Sequence, residues 1–196
     1  MSAPLADEPH SWPVTVADTV WEGRIFSVRR DTLGPTGSTA EPFERELVNH
    51  PGAVAVVAVN DRDEVLVVRQ YRHPARQLMV ELPAGLLDQP GELPLDAAKR
   101  ELQEEGLVQA RRWTSLLDYR PSPGFCDEVI HVFLAEDVRQ VELPPDFEPE
   151  HEEATLTRDW VPLSDLLEAV DSGRVHNGLT ITASLFASRV LHGNRR

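Results

Sequence analysis

The chain has 196 residues, 41% of them hydrophobic, with 33 Asp and Glu against 19 Lys and Arg and a formal net charge of -14. That length suits one domain, or one domain with a small appendage, and can bury a real core. The acidity sets the surface against polyanions, so nucleic-acid binding is not expected, and a small phosphorylated ligand would need a divalent cation to hold it.

Cys126 is the single cysteine, which rules out an intramolecular disulfide and fits a reducing compartment, so a cytoplasmic location is expected. The opening "MSAPLADEPHSWPVTVADTV" has neither a basic leader nor a long apolar run, and no later stretch reads as a membrane span. From Val14 to Asn49 the runs "VTVADTVW", "RIFSVRRDTL" and "FERELVNH" surround the break "GPTGS" and predict a small antiparallel sheet, an N-terminal arm over residues 1–50. Residues 51–196 then form the main domain. In it "GAVAVVAV" and "EVLVVRQY", joined by "NDRD", predict a hairpin of two central strands. A short strand "LMVELPAG" ends at a Pro and Gly break, and a helix follows, then strands at "TSLLDY" and "EVIHVFLA". The acidic, Pro-rich "EDVRQVELPPDFEPEHEE" predicts a long loop, a common place for function. A strand at "ATLTRDWVPL" precedes two helices, one with Ser164 as N-cap and Gly173 as stop, the other at "GLTITASLFASRVLHG". Helices and strands interleave without the repeat of a doubly wound sheet, which predicts a mixed-sheet α/β sandwich, of α+β type, with an antiparallel β arm.

The stretch "ELPAGLLDQPGELPLDAAKRELQEEGLV" carries the most chemistry. A helix from Pro94 to Gly106 would bury Leu95, Ala98 and Leu102 and bring Glu101, Glu104 and Glu105 within about a third of its circumference. Like charges so spaced cost about 0.2 to 0.5 kcal/mol per pair. Anions at a helix C-terminus oppose the macrodipole by about 0.3 to 1 kcal/mol each. Hard oxygen ligands on one face, after a loop shaped by Pro83, Gly85 and Gly91, suit Mg2+. On spacing alone, a solvated acidic face is the equal alternative.

The same residues resemble the Nudix box, the signature of Nudix hydrolases: Gly85, then Glu92, then "RELQEEGL" from Arg100. The spacer from Gly85 to Glu92 is one residue longer than the basic pattern, a length used by the ADP-ribose pyrophosphatase branch. Gly106 follows Glu105 directly, where the family has one residue between. The resemblance implies a Nudix-type α/β/α sandwich and Mg2+, with Mn2+ as its substitute. It implies that Glu101 and Glu105 bind the metal, that Glu104 shares a second ion and that the carbonyl of Ala84 adds a ligand. Arg100 would orient the glutamates, and Glu92 would tie the loop to the helix.

Pro123, sixteen residues past Leu107, together with "QYRH", "ELPAGLL" and "PGFCDE", is similar to the ADP-ribose branch. That implies hydrolysis of a nucleoside diphosphate sugar, ADP-ribose first and GDP-mannose as the alternative, and of a different class, a non-catalytic module that senses such a ligand. Arg45 and Arg72 are candidates for the adenosine and phosphate end and Glu81 for an adenine or ribose contact, with surface ion pairs as the plain alternative. Cys126, beside Asp127 and Glu128, is expected to be inert, and His73, His131 and His151 lack metal-ligand spacing. With the box glutamates given to metal, the base must come from elsewhere, and the resemblance implies Glu153 of "HEEA", or its neighbour Glu152. An arm exposing Trp21, Ile25 and Phe26 would be hard for a monomer to cover. In the resembling branch the arm exchanges between subunits, so a homodimer is expected, with Arg45 reaching across.

Overall fold

The computed structural model describes residues 5–34, 41–143 and 155–193. The chain forms two compact units, Met1–His50 with Ser122–Asp127, and Pro51–Pro121 with Glu128–Arg196.

In the first unit β1 (Val14–Glu22), β2 (Ser27–Leu33) and β3 (Phe43–Asn49) form an antiparallel sheet in chain order. The segment around Cys126 joins it: the Val48 amide donates to the Phe125 carbonyl at 2.7 Å, and the Asp127 amide to that of Val48 at 3.1 Å. Every residue of β1 is exposed within the single chain, including Trp21.

The second unit is built on β4 (Ala53–Ala58), β5 (Glu64–Arg72), β6 (Gln77–Glu81), β7 (Ala84–Leu86), α1 (Pro94–Gly106), β8 (Val108–Tyr119), β9 (Ile130–Gln140), β10 (Thr157–Pro162), α2 (Leu163–Asp171) and α3 (Gly178–Gly193). One sheet runs β7-β4-β9-β8 and the other β10-β5-β6. Strands β4 and β9 are parallel, so the sheet is mixed as expected.

The expected β4–β5 hairpin does not form. Beyond the "NDRD" turn only an isolated bridge, Val59 to Val65, links the two runs. Each strand goes on to lie inside a different sheet, β4 between β7 and β9 and β5 between β10 and β6. Unbroken apolar runs belong to strands buried on both faces, and two such strands can be served by separate sheets. The period of two then divides the core. Val54, Val56 and Ala58 pack with Leu66, Phe133 and the α1 residues Ala97, Ala98 and Leu102. Ala55, Val57 and Val59 pack with Val67, Val132, Leu134 and the α3 residues Ala183 and Ala187. Helices therefore cover opposite faces of β4, the α/β/α layering expected.

One helix start differs from expectation, and one helix end falls where expected but for another reason. Helix α2 starts at Leu163, with Pro162 as its N-cap residue, and Ser164 lies inside the first turn, its hydroxyl donating to Asp165. Proline's fixed φ lets it end β10 and open the helix, leaving no need for a serine cap. Helix α1 ends at Gly106, but the residue in left-handed conformation is Leu107, at φ 55° and ψ 34°. Gly106 is needed for space instead: a Cβ there would lie 2.8 Å from Leu66 Cδ2 and 3.1 Å from Leu102 Cδ1.

Candidate active site

Helix α1 is composed of good helix formers, with no β-branched residue, and opens on Pro94, whose missing amide costs nothing at the first turn. Its buried side includes Glu101 as well as Ala97, Ala98 and Leu102. A carboxylate at that depth needs partners.

Arg100 supplies them. Its Nη1 donates to Glu101 Oε1 at 2.6 Å and to Glu104 Oε2 at 3.1 Å. Its Nε and Nη2 each donate to Glu92 at 3.0 Å, a two-pronged bond that ties the loop before the helix to its middle. The Glu92 bond above all, with the charges of Glu101 and Glu104, holds the guanidinium far above its ordinary pKa, against the lowering effect of burial. Glu105 turns the other way, accepting the Ala84 amide at 2.8 Å. Arg100 and the Ala84 amide thus work against the repulsion read from spacing.

Strand β7 completes the arrangement. A Cβ on Gly85 would stand 2.0 Å from Glu101 Cδ and Oε1 and 2.5 Å from Oε2, so the carboxylate occupies the room glycine leaves. Ala84, Gly85, Glu92, Arg100, Glu101, Glu104 and Glu105 are brought together by these contacts. The donor set is of hard oxygens, and the cradle over Gly85 fixes one of them, which fits a divalent cation. Among the described residues, no three acidic, His or Cys side chains already stand as a closed cage. Arg100 and the Ala84 amide hold the carboxylates in place, and a carboxylate can accept such a bond and still ligate a cation through its remaining lone pairs.

Sequence reasoning missed Arg158. From β10 its Nε donates to the Glu105 carbonyl and its Nη2 to the Glu104 carbonyl at 3.4 Å, meeting the negative end of a helix that has no basic residue in its last turn. Burial lowers its pKa, and the charge of Glu105 works against that. Nothing in "TLTRDW" points to a partner 53 positions away.

A second site is a cleft of about 460 Å³ whose lining includes Arg72, Glu81, Tyr119, Ile130, Asn177 and Thr182. Arg72 and Glu81, both expected at the substrate, are joined there. Arg72 Nε donates to Glu81 Oε1 at 2.9 Å and Oε2 at 3.1 Å, and Nη2 to Oε2 at 2.7 Å. Glu81 is only 3% exposed. Asn177 Nδ2 donates to Glu81 Oε1 at 3.1 Å, while its Oδ1 accepts the Thr180 amide at 2.9 Å and caps the start of α3. The sequence reading missed Asn177: the cap has a signal in "HNGLT", an asparagine just before the helix, but the bond to Glu81, 96 positions away, has none. Burial, with the charge of Glu128, pushes the Tyr119 phenol up to about 12.

Arg45 lies in the first unit, its Nη1 donating to the Glu44 carbonyl at 2.9 Å and its guanidinium 4.5 Å from the Phe43 ring centroid. Cys126 is a free thiol. His131 pairs with Asp118 at 2.8 Å and His73 with the Tyr71 hydroxyl at 3.2 Å. His151, Glu152 and Glu153 lie outside the described residues. No described helix is long and apolar enough to cross a membrane.

Comparison with known proteins places this geometry. The NUDIX domain model matches residues 49–178. The chain is 40% identical over 184 residues to an ADP-ribose pyrophosphatase of Mycobacterium tuberculosis, covering 94% of this chain and 86% of the relative. It is 36% identical over 167 residues to an ADP-ribose pyrophosphatase of Bacillus subtilis, covering 85% and 86%. In fold it is similar to a crystal structure of ADP compounds hydrolase, with TM-score 0.76 at 24% identity, covering 96% of this chain and 98% of the other. With its box glutamates gathered over Gly85 and both relatives matched along most of their length, the chain belongs to the Nudix family.

Proposed function

We propose that the chain hydrolyses the diphosphate of ADP-ribose to AMP and ribose 5-phosphate with Mg2+, or Mn2+ in its place. The observation that carries this is the Glu101 carboxylate lodged over Gly85 beside Glu104, Glu105 and Arg100, in a chain 40% identical to an ADP-ribose pyrophosphatase. Glu101, Glu104, Glu105 and the Ala84 carbonyl hold the cation, which when bound neutralises the diphosphate and lowers the pKa of water.

The chain's own groups do the rest. Arg100 fixes the glutamate rotamers and, through Glu92, the loop that links β7, with Ala84 and Gly85, to the helix. Arg72 binds the adenosine and phosphate end from the cleft, with Glu81 under it, and Tyr119 adds a phenolic donor. Glu153, with Glu152 as its stand-in, takes the proton from the attacking water, because the box glutamates are committed to metal. Water oxygen bonds to one phosphorus as the bridging oxygen departs with the other phosphate.

The active form is a cytoplasmic homodimer joined through the arm, with Arg45 reaching the partner's substrate. Supporting this, Trp21 and Ile25 are 51% and 52% exposed in the single chain. A panel of ADP-ribose, GDP-mannose and other nucleotide sugars, assayed with Mg2+ or Mn2+ by phosphate release after phosphatase treatment, tests the substrate reading. ADP-ribose should give the highest kcat/KM. A higher value for GDP-mannose would replace it, and binding without cleavage would favour the sensing module.

A further inference from the structure

We propose that Asn177 is a positioning residue for substrate binding, acting through Glu81 on Arg72. This rests on the reading that the cleft at Arg72 receives part of the nucleotide. Glu81 is 3% exposed, so its carboxylate supports the cleft from beneath and presents little surface to a ligand. The Arg72 side chain above it is 46% exposed and is the part of the pair that a substrate can reach. A guanidinium on a long stem is a useful anion receptor only when its plane is held, because ordering four torsions at binding would weaken affinity. The two-pronged bond to Glu81 holds that plane.

Glu81 in turn must be kept from swinging with Arg72. It sits at the end of β6, and from outside its own hairpin Asn177 donates to its Oε1 at 3.1 Å. The amide of Asn177 cannot turn over, since its Oδ1 accepts the Thr180 amide at 2.9 Å, and Thr180 itself is fully buried and bonded to the Val80 carbonyl at 3.2 Å. The first turn of α3 therefore sets the Asn177 donor, the donor sets the Glu81 oxygen, and Glu81 sets the guanidinium. An aspartate in place of Asn177 would cap the helix equally well but would face Glu81 with a like charge. The asparagine is thus specified by the cleft and not by the helix alone.

The test uses Asn177→Ser, which retains an oxygen for the Thr180 amide but removes the donor to Glu81. With Mg2+ and ADP-ribose, KM should rise by about tenfold, the size of one lost hydrogen bond to a charged group, while kcat stays within about twofold. The melting temperature should stay near wild type, whereas Asn177→Ala, which loses cap and donor together, should lower it. In the Glu81→Gln background Asn177→Ser should add no further rise in KM, because both act through one path. Affinity for the non-hydrolysable α,β-methylene analogue of ADP-ribose should fall in parallel with KM. If Arg72→Lys raises KM but Asn177→Ser does not, the positioning role is overturned and the cleft assignment stands. If Arg72→Lys leaves KM and analogue affinity unchanged, the cleft is not the nucleotide site and both fall. Equal, additive losses from Asn177→Ser in wild-type and Glu81→Gln backgrounds would also overturn the path through Glu81.

Discussion

Replacing Gly85 by alanine should remove activity while leaving most of the fold. The added Cβ would stand 2.0 Å from Glu101 Cδ and Oε1, and ordinary contact begins at 3.4 Å, so the carboxylate must retreat by roughly 1.4 Å. The group that moves is the end of a side chain, and Gly85 has no left-handed φ that alanine would strain. Retreat takes Glu101 off Arg100 Nη1, now at 2.6 Å, at a cost of about 1.5 to 3 kcal/mol for a bond between charged groups. Alanine in a strand recovers about 0.5 to 1 kcal/mol relative to glycine. Arg100 keeps Glu92 and Glu104, so the net loss should be about 0.5 to 2.5 kcal/mol. Activity should fall much further, by about a hundredfold or more, the size expected when a group is misplaced by about 1 Å. Urea denaturation in metal-free buffer and ADP-ribose turnover at saturating Mg2+ measure the two effects on one preparation. Turnover within about threefold of wild type would refute the reasoning. It would mean that the carboxylate is not needed where Gly85 makes room for it.

Gly106→Ala should cost about 1 to 3 kcal/mol in urea denaturation, because its Cβ would press on Leu66, which is 1% exposed and has no room to yield. Arg158→Met should cost about 1 to 2 kcal/mol by uncovering the Glu104 and Glu105 carbonyls, seen as a lower denaturation midpoint at unchanged slope. Tyr119 gives a pH signature. The folded chain disfavours tyrosinate, so between the usual value near 10 and about 12 it binds more protons than the unfolded chain. Its contribution is present below pH 10 and is lost as pH rises toward 12. Tyr119→Phe should flatten that part of the stability curve relative to wild type, in melts taken across the interval. Glu153→Gln should lower kcat by about a hundredfold with little change in KM, and if Glu152→Gln does so instead, the base lies one position earlier.

What the sequence made legible was what depends on near neighbours. The α1 limits followed from Pro94 and Gly106, and the convergence of Glu101, Glu104 and Glu105 from helical period. The mixed α/β sandwich followed from the interleaving of helices and strands, but the division of the odd and even residues of "GAVAVVAV" between opposite cores appeared only in the structure. Where reading failed, a long-range partner or a local compromise decided the outcome. The β4–β5 hairpin was a sound local inference, but β4 pairs with β7 and the distant β9, and β5 with the adjacent β6 and the distant β10. Glycine at 106 does end α1 as read, but close approach to Leu66 is what claims it, and Leu107 takes the left-handed position at φ 55°. Arg158 and the Asn177 bond to Glu81 could not be found from spacing, since their partners lie 53 and 96 positions away.

The central claim is that the glutamate face over Gly85 hydrolyses ADP-ribose with a divalent cation. Its most direct test is product analysis by anion-exchange chromatography, with ADP-ribose incubated with wild type and with Glu101→Gln, each with Mg2+ and then with excess chelator. Wild type with Mg2+ should give AMP and ribose 5-phosphate in equal amounts, and the other three reactions should leave ADP-ribose intact. Equal product from Glu101→Gln, or from wild type under chelation, would contradict the account.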